Sequence, residues 1–454
     1  MGAGPAGFYV VEHLQRRPDV VVEVDMLDRL PTPYGLVRAG VAPDHQKIKA
    51  VTAAFDRTAA HPRFRFFGGV ELGKDVTVAD LRGLYHQIVY TTGAQTDRRM
   101  GIPGEDLKNS HPATEFVAWY NGHPDYRDLE FDLTQERAAI VGVGNVAVDV
   151  ARILCRTPEE LATTDIADHA LEVLRKSRIR EVYLLGRRGP AQAAFTNPEI
   201  KELGELPGAD IVVPADEAEL DDLSRAALER SQDRATMKKV EILQDYTRRP
   251  PEGRPRRLIV RFLVSPLEVL GNAAGEVVGL RLARNRLFAT QTGTLQPKPT
   301  GEVEELEVGL VFRSVGYRGV PLPGVPFHEA WGVILNEKGR VLDPATKQPR
   351  VGEYVAGWIK RGPTGVIGTN KPDAAETVAC MLEDVAAGRL GQPVAPGPEV
   401  IERLVRERQP RCVSYADWRQ VDALEVGRGR PVGRPRIKFT RIEEMLAALG
   451  RKHE

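Results

Sequence analysis

Two glycine turns constrain this chain more than any other feature: Gly142-Val143-Gly144-Asn145-Val146-Ala147 and Gly2-Ala3-Gly4-Pro5-Ala6-Gly7. The first of these is complete in its context, with the apolar strand Ala138–Val141 leading in and a helix, Val146 to Arg156, leading out. Strand, tight turn and helix in that order make a dinucleotide-binding unit. Its first glycine turns the chain, its second lets backbone approach a pyrophosphate, and the helix N-terminus aims free N–H groups at phosphate. The other turn is followed by a helix, Phe8 to Gln15, and an apolar strand, 20–28, that closes on Asp28, 21 residues after Gly7. A carboxylate at that place can accept a hydrogen bond from a ribose hydroxyl; it can also simply end a strand. Gly2 follows Met1 directly, so the apolar strand of about six residues that leads into such a turn is not read. A mis-assigned or trimmed start is the expectation.

The strand after the Gly142 turn, the second along the chain, is Glu181–Leu185, and it ends in no acid but in Gly186-Arg187-Arg188. Two guanidinium forks beside the adenosine ribose suit a 2′-phosphate and favour NADPH over NADH; the alternative is a solubilising pair at a strand end. Some forty residues separate turn and arginines, about twice the usual spacing, which demands an inserted helical segment at 157–178. Strand–helix alternation predicts parallel α/β sheets. Further helices are expected at 47–60, 371–388, 398–408 and 440–449, and a charged helical excursion at 215–245. Segments 31–45 and 426–436 read as ordered loop and solvated crossing loop, the latter carrying Arg428-Gly429-Arg430-Pro431.

Composition removes several function classes. Lys+Arg and Asp+Glu are equal at 63 each in 454 residues, so no global field gathers nucleic acid or an anionic membrane. No run approaches the ~18 apolar residues of a membrane helix, and no signal-peptide pattern is read, so a cytoplasmic protein is expected. Cys155, Cys380 and Cys412 lie far apart, which excludes a redox dithiol and zinc-ligand spacing; no metal site is expected. They read as buried small apolar residues.

Two remaining stretches carry chemistry. Trp358-Ile-Lys-Arg-Gly-Pro-Thr-Gly-Val-Ile-Gly-Thr-Asn370 has three glycines that let backbone lie flat on a planar ligand. Asn370 reads as an N-cap, with Asp373 completing a box-like pair. His45, in Ala42-Pro43-Asp44-His45, is a candidate for contact with a reacting ring, against the reading of a satisfied loop histidine.

The blocks PTPYGLVRAGVAPDHQ, GRRGPAQAAF and GWIKRGPTGVIGTNK resemble the adrenodoxin reductase-type NADPH–ferredoxin reductases, bacterial branch, and the likeness runs from Gly2 to about Leu449. The resemblance implies two Rossmann-like dinucleotide-binding domains, an NADPH domain at 106–322 inserted into a discontinuous FAD domain at 1–105 and 323–454, the second part carrying a C-terminal extension. It implies FAD on Gly2, Gly4, Ala6, Gly7, Asp28, Leu36, Leu72, Trp358, Gly365, Val366 and Ile367. NADPH falls on Val143, Gly144, Asn145, Val146, Arg187, Arg188, Glu199 and Gly365. His45, Glu199 and Glu202 become the candidates nearest the chemistry. The implied activity passes a hydride from NADPH to FAD and single electrons to an iron–sulfur ferredoxin. Rival readings are an electron-feeding flavoprotein with another acceptor and a non-catalytic NADPH-binding relic. A docking face for an acidic ferredoxin is expected on Arg248, Arg249, Arg254, Arg256 and Arg257, with Lys360 and Arg361 nearer the flavin loop. The unread leading strand predicts weak FAD binding and a low melting temperature.

Overall fold

The computed structural model describes residues 1–451. By contacts the chain divides into two units: Met1–Thr96 with Asn121–Pro124 and everything from Gly316 onward, and Asp97–Tyr120 with Asp125–Val315.

In the first unit, α1 (Pro5–Gln15) starts three residues before the expected helix, because Pro5 fits the first helical turn, where its missing N–H costs nothing. Strand β1 (Val24–Asp28) pairs in parallel with β2 (Phe64–Gly68), and β3 (Ile88–Tyr90) pairs in parallel with strand Pro349–Val355. The expected strand 20–28 therefore loses its first four residues. Among the described residues no neighbour pairs with Val20–Glu23, and Val21 is 75% exposed. The loop 31–45 contains a helical turn, Leu36–Ala39, and the helix 47–60 is split into Gln46–Lys49 and Thr52–Ala59.

The expected crossing loop at 426–436 is overturned at its start. Helix Tyr415–Gly429 runs into it, opened by a capping box in which Ser414 and Asp417 satisfy each other's backbone N–H groups. The fully buried Trp418 anchors that helix.

The second unit is built on a six-stranded, wholly parallel sheet. Strand Arg137–Val141 lies inside it, bonded on one side to Leu310–Arg313 and on the other to Glu181–Leu185. Such a strand is covered on both faces, which is why it reads as an unbroken apolar run. Helix Asn145–Cys155 buries Val148, Val150, Ile153 and Leu154, each contributing about 1.5–3 kcal/mol. The expectation of parallel sheets throughout fails beyond this core. Val264–Gly271, Val277–Ala289 and Leu295–Glu307 form an antiparallel meander, as short connections between adjacent strands require. All three cysteines are buried thiols.

Candidate functional site

At the first turn Gly2 has φ +104°, and a Cβ there would lie 2.7 Å from the Thr91 backbone. Met1 and Gly2 are held from both sides. The Met1 nitrogen donates to the Val89 carbonyl (2.8 Å), the Met1 carbonyl accepts from Thr91 N–H (2.8 Å), and Gly2 N–H donates to the Leu27 carbonyl (2.8 Å). The Thr91 hydroxyl adds a bond to the Gly2 carbonyl at 2.7 Å. The turn is thus aimed by two residues, where the sequence predicted it would be left unsupported. Asp28 closes β1 and accepts from Ala3 N–H (2.7 Å) and Leu30 N–H (2.9 Å), so its first task is bracing the turn. Gly4 differs in kind from Gly2: a Cβ on it would meet nothing within 4 Å. Open space above the second glycine, at the N-terminus of an eleven-residue helix, is what a pyrophosphate needs.

The glycine-rich loop belongs to the same unit. Gly357, at φ +81°, packs so closely on α1 that a Cβ would fall 2.5 Å from Ala6 Cβ. Trp358–Arg361 forms a single helical turn, and the Trp358 indole donates to the Thr364 carbonyl while its ring lies 5.4 Å from that of Tyr317. Gly365 and Val366 are exposed, Ile367 and Trp358 half-buried, Leu36 exposed and Leu72 buried. Asn370 does not cap the following helix, and Asp373 completes no box. Asn370 lies inside helix Asn370–Ala386, where its amide reaches back to the Ile367 carbonyl, and Asp373 accepts from Gly357 N–H at 2.5 Å. Asp373 also pairs with Lys360 (3.3 Å) and Arg361 (3.2 Å), spending both cations inside the loop.

At the second turn Gly142, at φ +129°, could not carry a Cβ, which would sit 2.2 Å from the Ser314 carbonyl oxygen. Gly144, like Gly4, has open space, and Asn145 accepts from Thr196 N–H at 3.0 Å. Val143 and Val146 are half-buried beside it, and the Val143 carbonyl accepts from Ala194 and Phe195 N–H. Arg187 is exposed and Arg188 half-buried, and among the described residues neither guanidinium has a carboxylate partner. Burial, and then the adjacent Arg187 charge, lowers the Arg188 pKa from its ordinary value. The backbone beneath them is pinned: Asn285 Nδ2 donates to the Arg187 carbonyl (3.0 Å) and Leu263 N–H to that of Arg188 (3.2 Å). Two adjacent guanidiniums without a carboxylate partner among the described residues are chemically suited to an anion.

Glu199 and Glu202 are drawn together by Arg152, whose fully buried side chain meets Glu199 at 3.2 Å, Asp149 at 2.6 Å and Glu202 at 3.7 Å. A buried guanidinium demands such partners. His45 precedes the helical turn Gln46–Lys49 in the first unit and is half-buried. Of the arginines expected to form a docking face, Arg248, Arg249 and Arg257 are exposed and Arg254 and Arg256 half-buried, and four of the five already have partners. Arg249 lies over the Tyr246 ring, Arg254 is held by Asp210 and Glu252, Arg256 donates to the Ile179 carbonyl, and Arg257 pairs with Glu181.

Sequence reasoning missed Asn285, Arg152 and the bracing role of Thr91. Thr91 opens a Thr-Thr-Gly triplet at a strand end, and Asn285, inside a long strand and 98 residues from its partner, gave no signal.

Two open glycine turns, one closed by an acid and one flanked by a phosphate-ready arginine pair, define a two-dinucleotide oxidoreductase. Residues 1–185 match the pyridine nucleotide-disulphide oxidoreductase family. The chain is 45% identical to the NADPH-ferredoxin reductase FprA of Mycobacterium leprae, covering 98% of this chain and 96% of that protein. It is 44% identical to the human mitochondrial NADPH:adrenodoxin oxidoreductase, covering 99% and 91%. The solved structure of Mycobacterium tuberculosis FprA in complex with NADPH superposes with a TM-score of 0.92 at 44% identity, covering 99% of this chain and 98% of that one. The chain belongs to the NADPH–ferredoxin reductase family that includes these FprA and adrenodoxin reductase proteins. Among the described residues no helix is long and apolar enough to cross a membrane.

Proposed function

We propose that this chain is a cytoplasmic NADPH:ferredoxin oxidoreductase that binds FAD at the first turn and NADPH at the second. The observation that carries the reading is the Arg187–Arg188 pair, held by its backbone beside an open Gly144 and unmatched by any carboxylate among the described residues. Backbone at Val143 to Val146 holds the NADPH pyrophosphate, Arg187 and Arg188 its 2′-phosphate. FAD is held by Gly2, Gly4, Ala6 and Gly7 at its pyrophosphate and by Asp28 and Leu36 near the adenosine, with Leu72, Trp358 and Gly365 to Ile367 along the rest; Gly365 also meets NADPH. When bound, FAD supplies the conversion of a hydride's electron pair into single electrons for an iron–sulfur acceptor. His45, Glu199 and Glu202 are the polar groups assigned to the nicotinamide end, Arg152 fixing the two acids.

The test is NADPH-driven reduction of cytochrome c by the purified protein, with and without an added ferredoxin, and the same assay with NADH. A yellow protein whose rate rises with ferredoxin and prefers NADPH is expected. A colourless protein that binds NADPH but reduces neither acceptor would overturn the assignment in favour of a non-catalytic binding module.

A further inference from the structure

In the second unit, three successive carbonyls at the end of strand Glu181–Leu185 are held from one corner of the antiparallel meander. Val264 N–H donates to the Gly186 carbonyl (3.0 Å), Asn285 Nδ2 to that of Arg187 (3.0 Å) and Leu263 N–H to that of Arg188 (3.2 Å). The corner is itself closed, since Asn285 N–H donates to the Leu263 carbonyl (2.7 Å) and Asn285 Nδ2 also to Ser265 Oγ (2.7 Å). Asn285 is only 6% exposed, and the pairing of its strand shifts register between Ala283 and Asn285. A register shift of this kind re-aims a side chain, here toward the main chain beneath the arginines.

Two features of this clamp cost stability. Leu263 holds φ +57°, a left-handed conformation that a bulky side chain rarely takes. Asn285 Oδ1 is buried and accepts no bond among the described residues. The amide cannot be turned over to relieve it, because the Arg187 carbonyl needs a donor. Ala283 and Leu287, two residues to either side, are buried and apolar, so an apolar residue at 285 would suit the strand without that unmatched atom. Costs gathered at one place and kept by the surrounding fold mark that place as functional.

We propose that Asn285 is a positioning residue that sets cofactor specificity: with Leu263 it fixes the direction in which the Arg187 and Arg188 side chains leave the strand end, and so how strongly the site prefers a 2′-phosphate to a free 2′-hydroxyl. The proposal rests on the assignment of the 2′-phosphate to this pair. Among the described residues no carboxylate holds either guanidinium, so the fold constrains the pair through its main chain. Ordering two long side chains on a ligand costs conformational entropy. A fixed origin for both lowers that cost, because the phosphate meets two forks already directed at one point. A ligand without the 2′-phosphate makes no use of the pair and loses nothing when its origin loosens.

The experiment compares the unaltered protein with Asn285→Leu, which matches the amide in size without its donors, and Asn285→Ser, which keeps a hydroxyl in less space. Calorimetry measures the affinities for 2′,5′-ADP and 5′-AMP, with NADPH and NADH beside them and thermal melting as a check on folding. The unaltered protein should prefer 2′,5′-ADP to 5′-AMP. Asn285→Leu should weaken 2′,5′-ADP and NADPH by about fivefold or more and 5′-AMP and NADH by less than about twofold, with Asn285→Ser between. In a protein that already carries Arg187→Ala and Arg188→Ala, adding Asn285→Leu should leave the ratio of the two affinities where it stands, because residues acting through one another do not add. Equal losses for the phosphorylated and unphosphorylated ligands, by partial unfolding or otherwise, would make Asn285 structural and overturn the proposal. So would an undiminished preference in both variants, or an effect on the ratio that persists without the arginines. An unaltered protein with no preference for 2′,5′-ADP would overturn the 2′-phosphate assignment itself, and the proposal with it.

Discussion

At Gly142 the turn hangs on a strand bonded along its length to neighbours on both sides; at Gly2 it hangs on three main-chain bonds made by two residues. Yet both first glycines take the same unusual φ, +129° and +104°, and both second glycines face open space. The two turns thus share a geometry and differ in the groups that brace them. In the first unit the braces are the Thr91 hydroxyl and Asp28; in the second they are Asn145 and the chain at Ala194–Phe195. The two sites differ again in charge. An acid closes one and unmatched arginines flank the other, which is the difference expected between a ribose hydroxyl and a 2′-phosphate.

The largest effect that would sharpen this contrast lies in the arginine pair. Replacing Arg187 and Arg188 with Ala removes two charged hydrogen-bonding groups, each contributing about 1.5–3 kcal/mol, so NADPH affinity should fall by about 3–6 kcal/mol and NADH affinity hardly at all. Titration of both cofactors decides it. Equal losses would mean that the pair shapes the fold and selects no phosphate.

Next come the glycines themselves. Gly142→Ala and Gly2→Ala each force a side chain into positive φ and onto backbone, costing about 1–3 kcal/mol in conformation alone, with the overlap at Ser314 or Thr91 adding to it. Gly144→Ala and Gly4→Ala should leave the unfolding midpoint unchanged and weaken NADPH and FAD binding respectively. Urea unfolding beside ligand titration separates the pairs. A Gly144→Ala protein that unfolds early would show that the second glycine is structural.

The second turn was legible in sequence because strand, turn and helix are contiguous and each has its own period. What escaped was whatever depended on partners far along the chain. Five arginines between Arg248 and Arg257 read as one basic patch, and that Glu181, Asp210 and Glu252 pair with Arg254 and Arg257 could not be read from their spacing. Helix Tyr415–Gly429 was hidden by Gly427, Gly429 and the Arg/Pro stretch that follows, although its Ser414-x-x-Asp417 box was there to be read. The Val20–Glu23 run was read as strand on its composition, and stays unpaired because a strand also requires a neighbour.

A smaller effect distinguishes the two turns by pH. Burial pushes the Met1 ammonium down from 8.0 to about 6, against the weaker opposing pull of Asp28, and the strand at Gly142 has no such group. Below pH 6 both folded and unfolded chains carry the charge and its burial cost is full; above pH 8 neither does. Stability should therefore fall by about 2–3 kcal/mol between pH 8 and pH 6. Urea unfolding at the two pH values, compared with a chain extended through the Met1 nitrogen, isolates this component because other titrating groups cancel. The extended chain should lose it, and equal slopes would show that the terminus is solvated.

The smallest effect concerns the brace of the second turn. The Asn145 side chain accepts a single neutral bond from Thr196 N–H at 3.0 Å, whereas Asp28 accepts two backbone N–H bonds on a carboxylate. Neutral bonds contribute about 0.5–1.5 kcal/mol net, and bonds to charged groups about twice that. Asn145→Ala should therefore lower unfolding free energy by only about 1 kcal/mol, since water can reach the freed Thr196 N–H, which lies at an exposed position. Asp28→Ala strands the N–H groups of the buried Ala3 and the half-buried Leu30 and should cost about 2–5 kcal/mol, at one to three for each donor left unmatched. Chemical unfolding of both variants without added cofactor gives the ratio. An Asn145→Ala loss equal to that of Asp28→Ala would mean that the second turn, for all its continuous strand, relies on its side-chain brace as heavily as the first.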